Sequence, residues 1–528
     1  MALDLSDKEY DYIIFSESDH YGSITYHGST QLFLYMRNNL NLNCAFLVTN
    51  EKKFDLPHSY FIKEFANNDV ISFEKSIDVH KLEKNMNILD KALELYKIDS
   101  QLDKSNIERI SKIGNLSLSE MGIKKLSNGY EFDYNNENER ISKLYFWKRY
   151  LYFENIVKKL PKHKAAVYGC RHDAGADDEK FLNMLTTHYD SKIMYYAMQH
   201  EFHTGGCIFP DWHGCDKYRY EEGCYNCAFQ AKKNIKEVYD KGKNLGKIIH
   251  QPYSFGMQAQ TLMFNNMKKV IKKHKKRIRY LVSSSFTKKQ AKESFLFKDV
   301  DTKLAVFKFK DTNGNLNKED ISKIKMSYKQ ELIRTLSGLE QYFDSNNIDK
   351  KDAKFVMWCS MSARSERKGI KEYIDICNIV SKKATPAEIA KTIFIFSCNE
   401  LEEYWEALPN NMISIYTGAL KSKALESIYN ASDVFCCTTL EDAGPRTIGE
   451  SLSYGTPVIS FDKCIASDII NGKNGKIVKT SDTRKFADYL LEHIRKDKKQ
   501  LENEFYESKK SFNEFYDEEN ISKQWKES

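Results

Sequence analysis

Two carboxylates, Asp442 and Glu450, stand with seven residues between them in the stretch TLEDAGPRTIGESLSYGTPVISF, residues 439–461. The apolar run Val434–Cys437 just before them predicts a strand, and Asp442, Ala443, Gly444 and Pro445 a loop. A helix is expected from near Arg446, with Thr447 and Glu450 in its early turns. Backbone N–H groups of a glycine-containing loop and a helix N-terminus suit an anion such as a diphosphate. A carboxylate one turn into that helix can accept hydrogen bonds from two hydroxyls, as from a ribose. Gly455, Thr456 and Pro457 then turn the chain into the next strand.

A second constellation is TGGCIFPDWHGCDKYRYEEGCYNC, residues 204–227, which holds Cys207, Cys215, Cys224 and Cys227. Met1–Tyr12 is acidic and polar rather than a basic and then apolar leader, and no apolar run approaches the ~18 residues of a membrane helix. The expected compartment is therefore the reducing cytosol, which disfavours disulfides. Four thiolates with a C-x-x-C pair suit tetrahedral structural zinc, with packed reduced thiols as the alternative. Gly206, Gly214 and Gly223 each precede a cysteine and free the backbone to turn the thiols toward one point.

The net charge of +7 is a small excess on 528 residues and does not itself call for nucleic acid. One run, NNMKKVIKKHKKRIRY at 265–280, gathers eight Lys and Arg around the apolar stripe Met267, Val270, Ile271 and His274. It reads as a solvated helix face, and also fits attraction to anionic lipid headgroups.

The elements that must position these groups alternate strand and helix. Apolar strands are expected at Tyr12–Phe15, Cys44–Val48, Ala165–Tyr168, Ile193–Ala197 and Tyr280–Val282, and again at 354–358, 392–396, 412–416, 434–437 and 457–461. Between the first two lies a loop with Gly22 and Gly28, then a helix from about Thr30 to Leu40; no GxGxxG occurs there, so a nicotinamide cofactor is not indicated. Residues 75–160, charged and helical in pattern, read as a helical insertion. Two such βα regions imply an α/β protein with two parallel sheets and a ligand in the cleft at the carboxyl ends of strands.

The segment around Asp442 and Glu450 resembles the retaining glycosyltransferases of family four, which have the GT-B fold, two Rossmann-like domains facing across a cleft. That family shows an acid, seven residues, a glutamate followed by a small residue and leucine, then Gly-Thr-Pro-Val. Here these are Asp442, Glu450, Ser451-Leu452 and Gly455-Thr456-Pro457-Val458, flanked by Tyr429–Val434 and Asn471–Gly475. The likeness covers about 120 residues well. It extends to SMSARSERKGI at 360–370, where the family keeps a loop ending in Lys-Gly.

The resemblance implies that Lys368, with Arg364 or Arg367, stabilises a departing nucleotide diphosphate. It implies that Glu450 holds the ribose, and that Asp442 with Gly444, Pro445 and Thr447 holds the rest of the donor. His200, just after a strand, takes the family's place for a histidine near the sugar, with His172 as rival. The subset of that family with a Thr-Gly-Gly-Cys segment is matched by Thr204–Cys207 and the cysteines after it. Gly28 lies where the family keeps glycines near the donor phosphate, and Ser283–Ser285 is similar to its short serine turn.

The implied domains are 1–300 on the acceptor side, 301–505 for the nucleotide sugar, and 506–528 as a terminal helix returning to the first. The implied activity is hexosyl transfer with retention from a nucleotide-sugar co-substrate, with no catalytic metal. The acceptor would be a glycan, lipid-linked or protein acceptor, as in cell-envelope polysaccharide synthesis, with peripheral contact at the inner face of the membrane. A sugar-nucleotide epimerase or non-catalytic relative of the same fold is one alternative. A zinc-stabilised basic nucleic-acid-binding protein is the other; the scarcity of aromatic residues in the 265–280 run argues against it.

Overall fold

The computed structural model describes residues 9–16, 24–50, 70–74, 123–126, 129–132, 160–169, 179–207, 210–212, 214–223, 257–308, 316–336, 338–420, 422–444 and 446–526. They fall into two compact units. The first comprises residues 1–282 and 288–305, the second 283–287 and 306–527.

The strands in chain order are β1 (Glu9–Ser16), β2 (Cys44–Asn50), β3 (Val70–Glu74), β4 (Ile123–Leu126), β5 (Gly129–Phe132), β6 (Lys162–Tyr168), β7 (Lys192–Tyr196), β8 (Ile278–Val282) and β9 (Asp301–Leu304). Seven of them form one parallel sheet in the order β3-β2-β1-β6-β7-β8-β9. In the second unit β10 (Lys354–Ser362), β11 (Thr392–Asn399), β12 (Ile413–Tyr416), β13 (Val434–Cys437), β14 (Val458–Phe461) and β15 (Gly475–Val478) form another, in the order β12-β11-β10-β13-β14-β15. Every pairing within these two sheets is parallel. Central parallel strands are covered on both faces, which is why β13 reads as an unbroken apolar run, β14 is broken only by Ser460, and both are buried throughout.

Strand order reverses between β1 and β6 in one sheet and between β10 and β13 in the other. Loops leaving the carboxyl ends of strands at such a reversal diverge and leave room for a ligand. The loops after β10 and β13, which carry Lys368 and Asp442, are those loops in the second sheet.

Aromatic stacking builds the first core: Phe15 on Tyr168 (centroids 4.6 Å apart), Tyr195 on Phe202 (4.4 Å) and Tyr280 against Phe297 (4.7 Å). The second core centres on Trp358, stacked on Tyr373 at 5.9 Å. Beneath the turn Gly455–Pro457, the buried Lys325 donates to the Thr456 hydroxyl (2.6 Å) and to the carbonyls of Tyr429, Asn430 and Ser432 (3.0–3.4 Å). A lysine at the C-terminus of the helix Ser422–Ala431 satisfies carbonyls that the helix itself leaves unpaired.

Three expectations need correction. Within the supposed helical insertion, β4 and β5 form an antiparallel hairpin with Leu126 opposite Gly129; the remainder of 75–160, Leu160 apart, lies outside the described residues. The first helix spans Ile24–Asn38, so Gly28 sits in a helix rather than a loop. The first sheet also continues through β9, past residue 300.

The last helices, Lys498–Phe515 and Glu518–Lys526, are ordered by their apolar face. Phe505, Phe512, Tyr516, Ile521 and Trp525 are buried, and Phe515 is half-buried. Asp497 opens the first of them with a capping box to Gln500. Trp525 donates its indole N–H to the Val306 carbonyl (2.8 Å), a contact within the second unit.

Candidate active site

The loop after β10 holds a single 3₁₀ turn, Glu366–Lys368, and Gly369 starts the helix Ile370–Lys383. Gly369 has φ +75°, and a Cβ there would lie 1.9 Å from the Thr438 carbonyl oxygen, so only glycine fits. Thr438, just past β13, joins the two loops by accepting from the Trp358 indole (2.9 Å) and donating to the Gly369 carbonyl (2.8 Å). The Leu440 N–H donates to the Arg367 carbonyl (2.8 Å).

This stitching brings Arg367, Lys368 and Asp442 together. Lys368 pairs with Asp442 Oδ2, and Arg367 reaches the same oxygen at 3.4 Å while donating to the Glu441 carbonyl at 3.2 Å. The Lys368 and Asp442 side chains are each only 20% exposed, so their charges are less screened than a surface pair. Burial by itself would raise the Asp442 pKa; Lys368 and then Arg367 overcome it and hold the carboxyl well below the usual range. Gly444 N–H points at Asp442 Oδ1 at 3.5 Å.

Ser283–Thr287 closes over this loop: Ser283 and Thr287 hydroxyls donate to the Ala443 carbonyl at 3.3 and 3.2 Å. A Cβ on Gly444 would meet Ser283 Oγ at 2.8 Å.

Glu450, half-buried on the helix Arg446–Ser453, accepts from the Tyr429 hydroxyl at 3.4 Å. Tyr429 stacks on Tyr454, which fixes the hydroxyl's direction. Thr447 lies at the start of the same helix, half-buried; Pro445 is outside the described residues. Burial, and then the Glu450 charge, push the nearby Cys359 thiol up to about 12, which favours its protonated form.

Of the two candidate arginines, Arg367 joins Lys368. Arg364 is exposed and its guanidinium is engaged by Glu400 (3.1 Å) and Glu403. Gly28 faces Met198, whose sulfur would lie 2.7 Å from an added Cβ; its lack of a side chain lets that helix pack on the chain just past β7. His200 is fully buried and caps the short helix Glu201–Thr204 directly after β7. His172 and Gly22 lie outside the described residues.

In the cysteine segment, Gly206, Gly214 and Gly223 all have positive φ (138°, 62° and 61°). Cys207 and Cys215 carry half-exposed thiols, and Cys224 and Cys227 lie outside the described residues. The segment is anchored by buried Tyr218, whose carbonyl accepts from Phe295 N–H (3.0 Å), and by the Arg219–Glu293 pair (2.9 Å). The basic run lies on the helix Met257–His274 and the start of β8. Lys268, Lys273, Lys275, Arg277 and Arg279 each meet a carboxylate, from Glu221, Glu179, Asp299, Asp190 and Asp301.

Sequence reasoning missed the supports: Trp358 and Thr438 behind the loops, Tyr429 beside Glu450, and Lys325 under Thr456. Each acts on a partner at least 21 residues away, so no local spacing reveals it.

Comparison with known proteins sets this geometry in context. Residues 340–512 match the family model described as glycosyl transferases group 1. Among solved structures, HepE of Anabaena in complex with UDP matches at 10% identity and TM-score 0.51, over 98% of each chain. A TarM mutant of S. aureus in complex with Fondaparinux, alpha-GlcNAc-glycerol and UDP matches at 10% identity and TM-score 0.50, over 98% of this chain and 99% of that one. An E. coli structure described as trehalose-6-phosphate bound with UDP-2-fluoro glucose matches at 11% identity and TM-score 0.50, over 98% of each chain. No curated protein matches the chain. The two doubly wound sheets are thus those of the GT-B fold, and the stretch similar to the glycosyl transferases group 1 model, residues 340–512, takes in every strand of the second.

Proposed function

We propose that the protein is a retaining glycosyltransferase that moves a sugar from a nucleotide-sugar donor to a glycan, lipid-linked or protein acceptor. The observation that carries this reading is the pair of cations, Arg367 and Lys368, converging on Asp442 at the reversal of the second sheet. The structures similar to it hold UDP or a UDP-sugar, which supports a nucleoside diphosphate as the ligand.

In this reading the anomeric carbon's bond to the diphosphate oxygen breaks, and a bond to the acceptor oxygen forms on the same face. The acceptor's proton passes to the departing phosphate. Lys368 and Arg367 meet the negative charge that the diphosphate gains as the bond breaks, where fixed cations act most strongly. Glu450 accepts from the ribose hydroxyls, and Asp442 and the Gly444 amide hold sugar hydroxyls. His200 contacts the sugar near the breaking bond; because its ring is buried, that contact needs a local opening beyond β7.

A thermal-shift panel of UDP-glucose, UDP-N-acetylglucosamine and GDP-mannose tests the reading. A ligand at 100 times its dissociation constant stabilises by about 2.7 kcal/mol. One member should raise the melting temperature, and Glu450→Ala should cancel the shift while leaving the unliganded melt in place. No shift with any nucleotide sugar, or an undiminished one in Glu450→Ala, would overturn it.

We further infer that Cys207, Cys215, Cys224 and Cys227 hold a structural zinc. The positive φ angles before Cys207 and Cys215 support this, since each turns the backbone instead of continuing a helix. Four protein thiolates leave no open position for water, so the ion would brace the segment and take no part in transfer. Elemental analysis of protein purified without chelator or metal-affinity resin should give about one zinc per chain. Fully active, metal-free protein with four reactive thiols would defeat the assignment.

A further inference from the structure

One turn beyond His200 stands a second histidine, His203, which the proposed chemistry does not use. It is fully buried in the first unit, beside Phe202 and Tyr280 of the aromatic core. Burial, and then the neighbouring His200, hold its pKa well below the ordinary histidine value, so it is neutral.

A neutral imidazole in an apolar core is costly unless its nitrogens are met. Here Nδ1 shares a 2.9 Å hydrogen bond with the Tyr280 hydroxyl on β8, while Nε2 has no hydrogen-bond partner among the described residues. A phenylalanine would fill the same space without that cost, so packing alone does not account for the histidine.

The ring's surroundings suggest what does. The His203 carbonyl accepts from the Ser294 hydroxyl at 2.5 Å, which fixes the backbone, and Tyr280 fixes the ring. One edge then packs against the His200 ring, centroids 5.4 Å apart and planes at 80°. Tyr218 of the cysteine segment packs on His203 from another side, centroids 5.9 Å apart.

We propose that His203, oriented by the Tyr280 hydroxyl and backed by Tyr218, is a positioning residue that sets the orientation of the His200 ring. This rests on the reading that His200 contacts the sugar. It also gives the cysteine segment a route to the site, through Tyr218 to His203 and then to His200, without any of its own residues touching substrate.

The test uses full-length protein and the nucleotide sugar giving the largest thermal shift in the panel above, with release of the nucleoside diphosphate as the readout. Tyr280→Phe removes one hydroxyl, and His203→Phe keeps an aromatic ring. His203→Phe should melt at or near the parent temperature, and Tyr280→Phe, which leaves the buried Nδ1 unmet, should melt somewhat lower but still fold cooperatively. Each should lower kcat by roughly 10- to 100-fold, as small misplacements of a reacting group do, with donor KM changed less than about twofold. In a His200→Ala background neither should cause further loss, and His203→Asn, which can still bond Tyr280, should recover part of the rate. Folded Tyr280→Phe and His203→Phe proteins with unchanged kcat, beside a slowed His200→Ala, would overturn the proposal while sparing the role of His200. Unchanged kcat in His200→Ala, or no release from any donor, would instead overturn the functional reading beneath it.

Discussion

Replacing Lys368 with alanine should lower sugar transfer by about 10²- to 10³-fold while the protein stays folded. That is the loss typical when one preorganised stabiliser of developing charge is removed. Lys368 stands on a turn fixed by the Thr438 contact to Gly369 and by the Leu440–Arg367 backbone bond, so its ammonium is placed before substrate arrives. Asp442 balances it, and the same cations hold that carboxyl in its charged form, well below the usual range. In the function proposed above, a diphosphate would therefore meet cations already in place, and the work of orienting them would not be repeated at each turnover. The effect should fall on kcat more than on donor affinity, because charge on the diphosphate grows as the bond breaks. Arg364→Ala, whose side chain is occupied by Glu400 and Glu403, should by contrast be nearly silent. Initial rates of nucleoside diphosphate release for the two variants decide the matter: equal effects, or an unimpaired Lys368→Ala, would refute the assignment.

The largest effect on stability is expected at Asp433. Its carboxylate is buried, accepts from Lys329 at 2.8 and 2.9 Å, and takes the Phe355 N–H of β10 at 2.7 Å. Asp433→Ala leaves Lys329 buried without its counter-charge, a change that typically costs about 3–5 kcal/mol. For a unit of this size the melting temperature should fall on the order of 10 °C. The double variant Lys329→Met, Asp433→Leu should recover much of it, since apolar pairs of similar volume often replace a buried ion pair without loss. Burial alone would raise the Asp433 pKa, but Lys329 and then Lys354 turn the shift downward. For an acid whose folded-state pKa is depressed, the stabilisation is complete above its unfolded value and fades as pH falls through the folded one. Thermal melts from pH 7 to pH 3 should show that acid-side loss in the parent and less of it in Asp433→Ala. A single variant as stable as the parent would show that the pair contributes nothing.

How much of this was legible in the sequence follows from where each element sits. The central strands are legible because both of their faces are covered and each holds a run of mostly apolar residues. The strands that escaped notice, β3, β9 and β15, are all at sheet edges, where sequences such as Asp301-Thr302-Lys303-Leu304 mix charge with apolar residues. The β4–β5 hairpin was lost among charged residues for a similar reason, since its strands carry Lys124, Lys125 and Glu131. At the site, Asp442, Glu450 and Lys368 were readable because their spacing along the chain carries the pattern. The choice between Arg364 and Arg367 was not, because it depends on a 3₁₀ turn and on two acids that come 36 and 39 residues later. The surroundings of Gly28 are not legible either, because Met198, which it faces, lies 170 residues further along the chain.

The five residues Ser283–Thr287 carry a practical consequence for anyone who would recombine such chains. They leave the end of β8, count structurally with the second unit, and hand the chain back to the first at Lys288. A chimaera spliced at a single junction near residue 306 would take Asp442, Gly444 and the helix behind them from one parent and their cover from another. The Ala443 carbonyl would then look to foreign side chains for the hydroxyls that Ser283, Ser284 and Thr287 now supply. Exchanging the second unit of this chain as a module therefore calls for three cuts, with that pentapeptide travelling alongside the half of the molecule it serves.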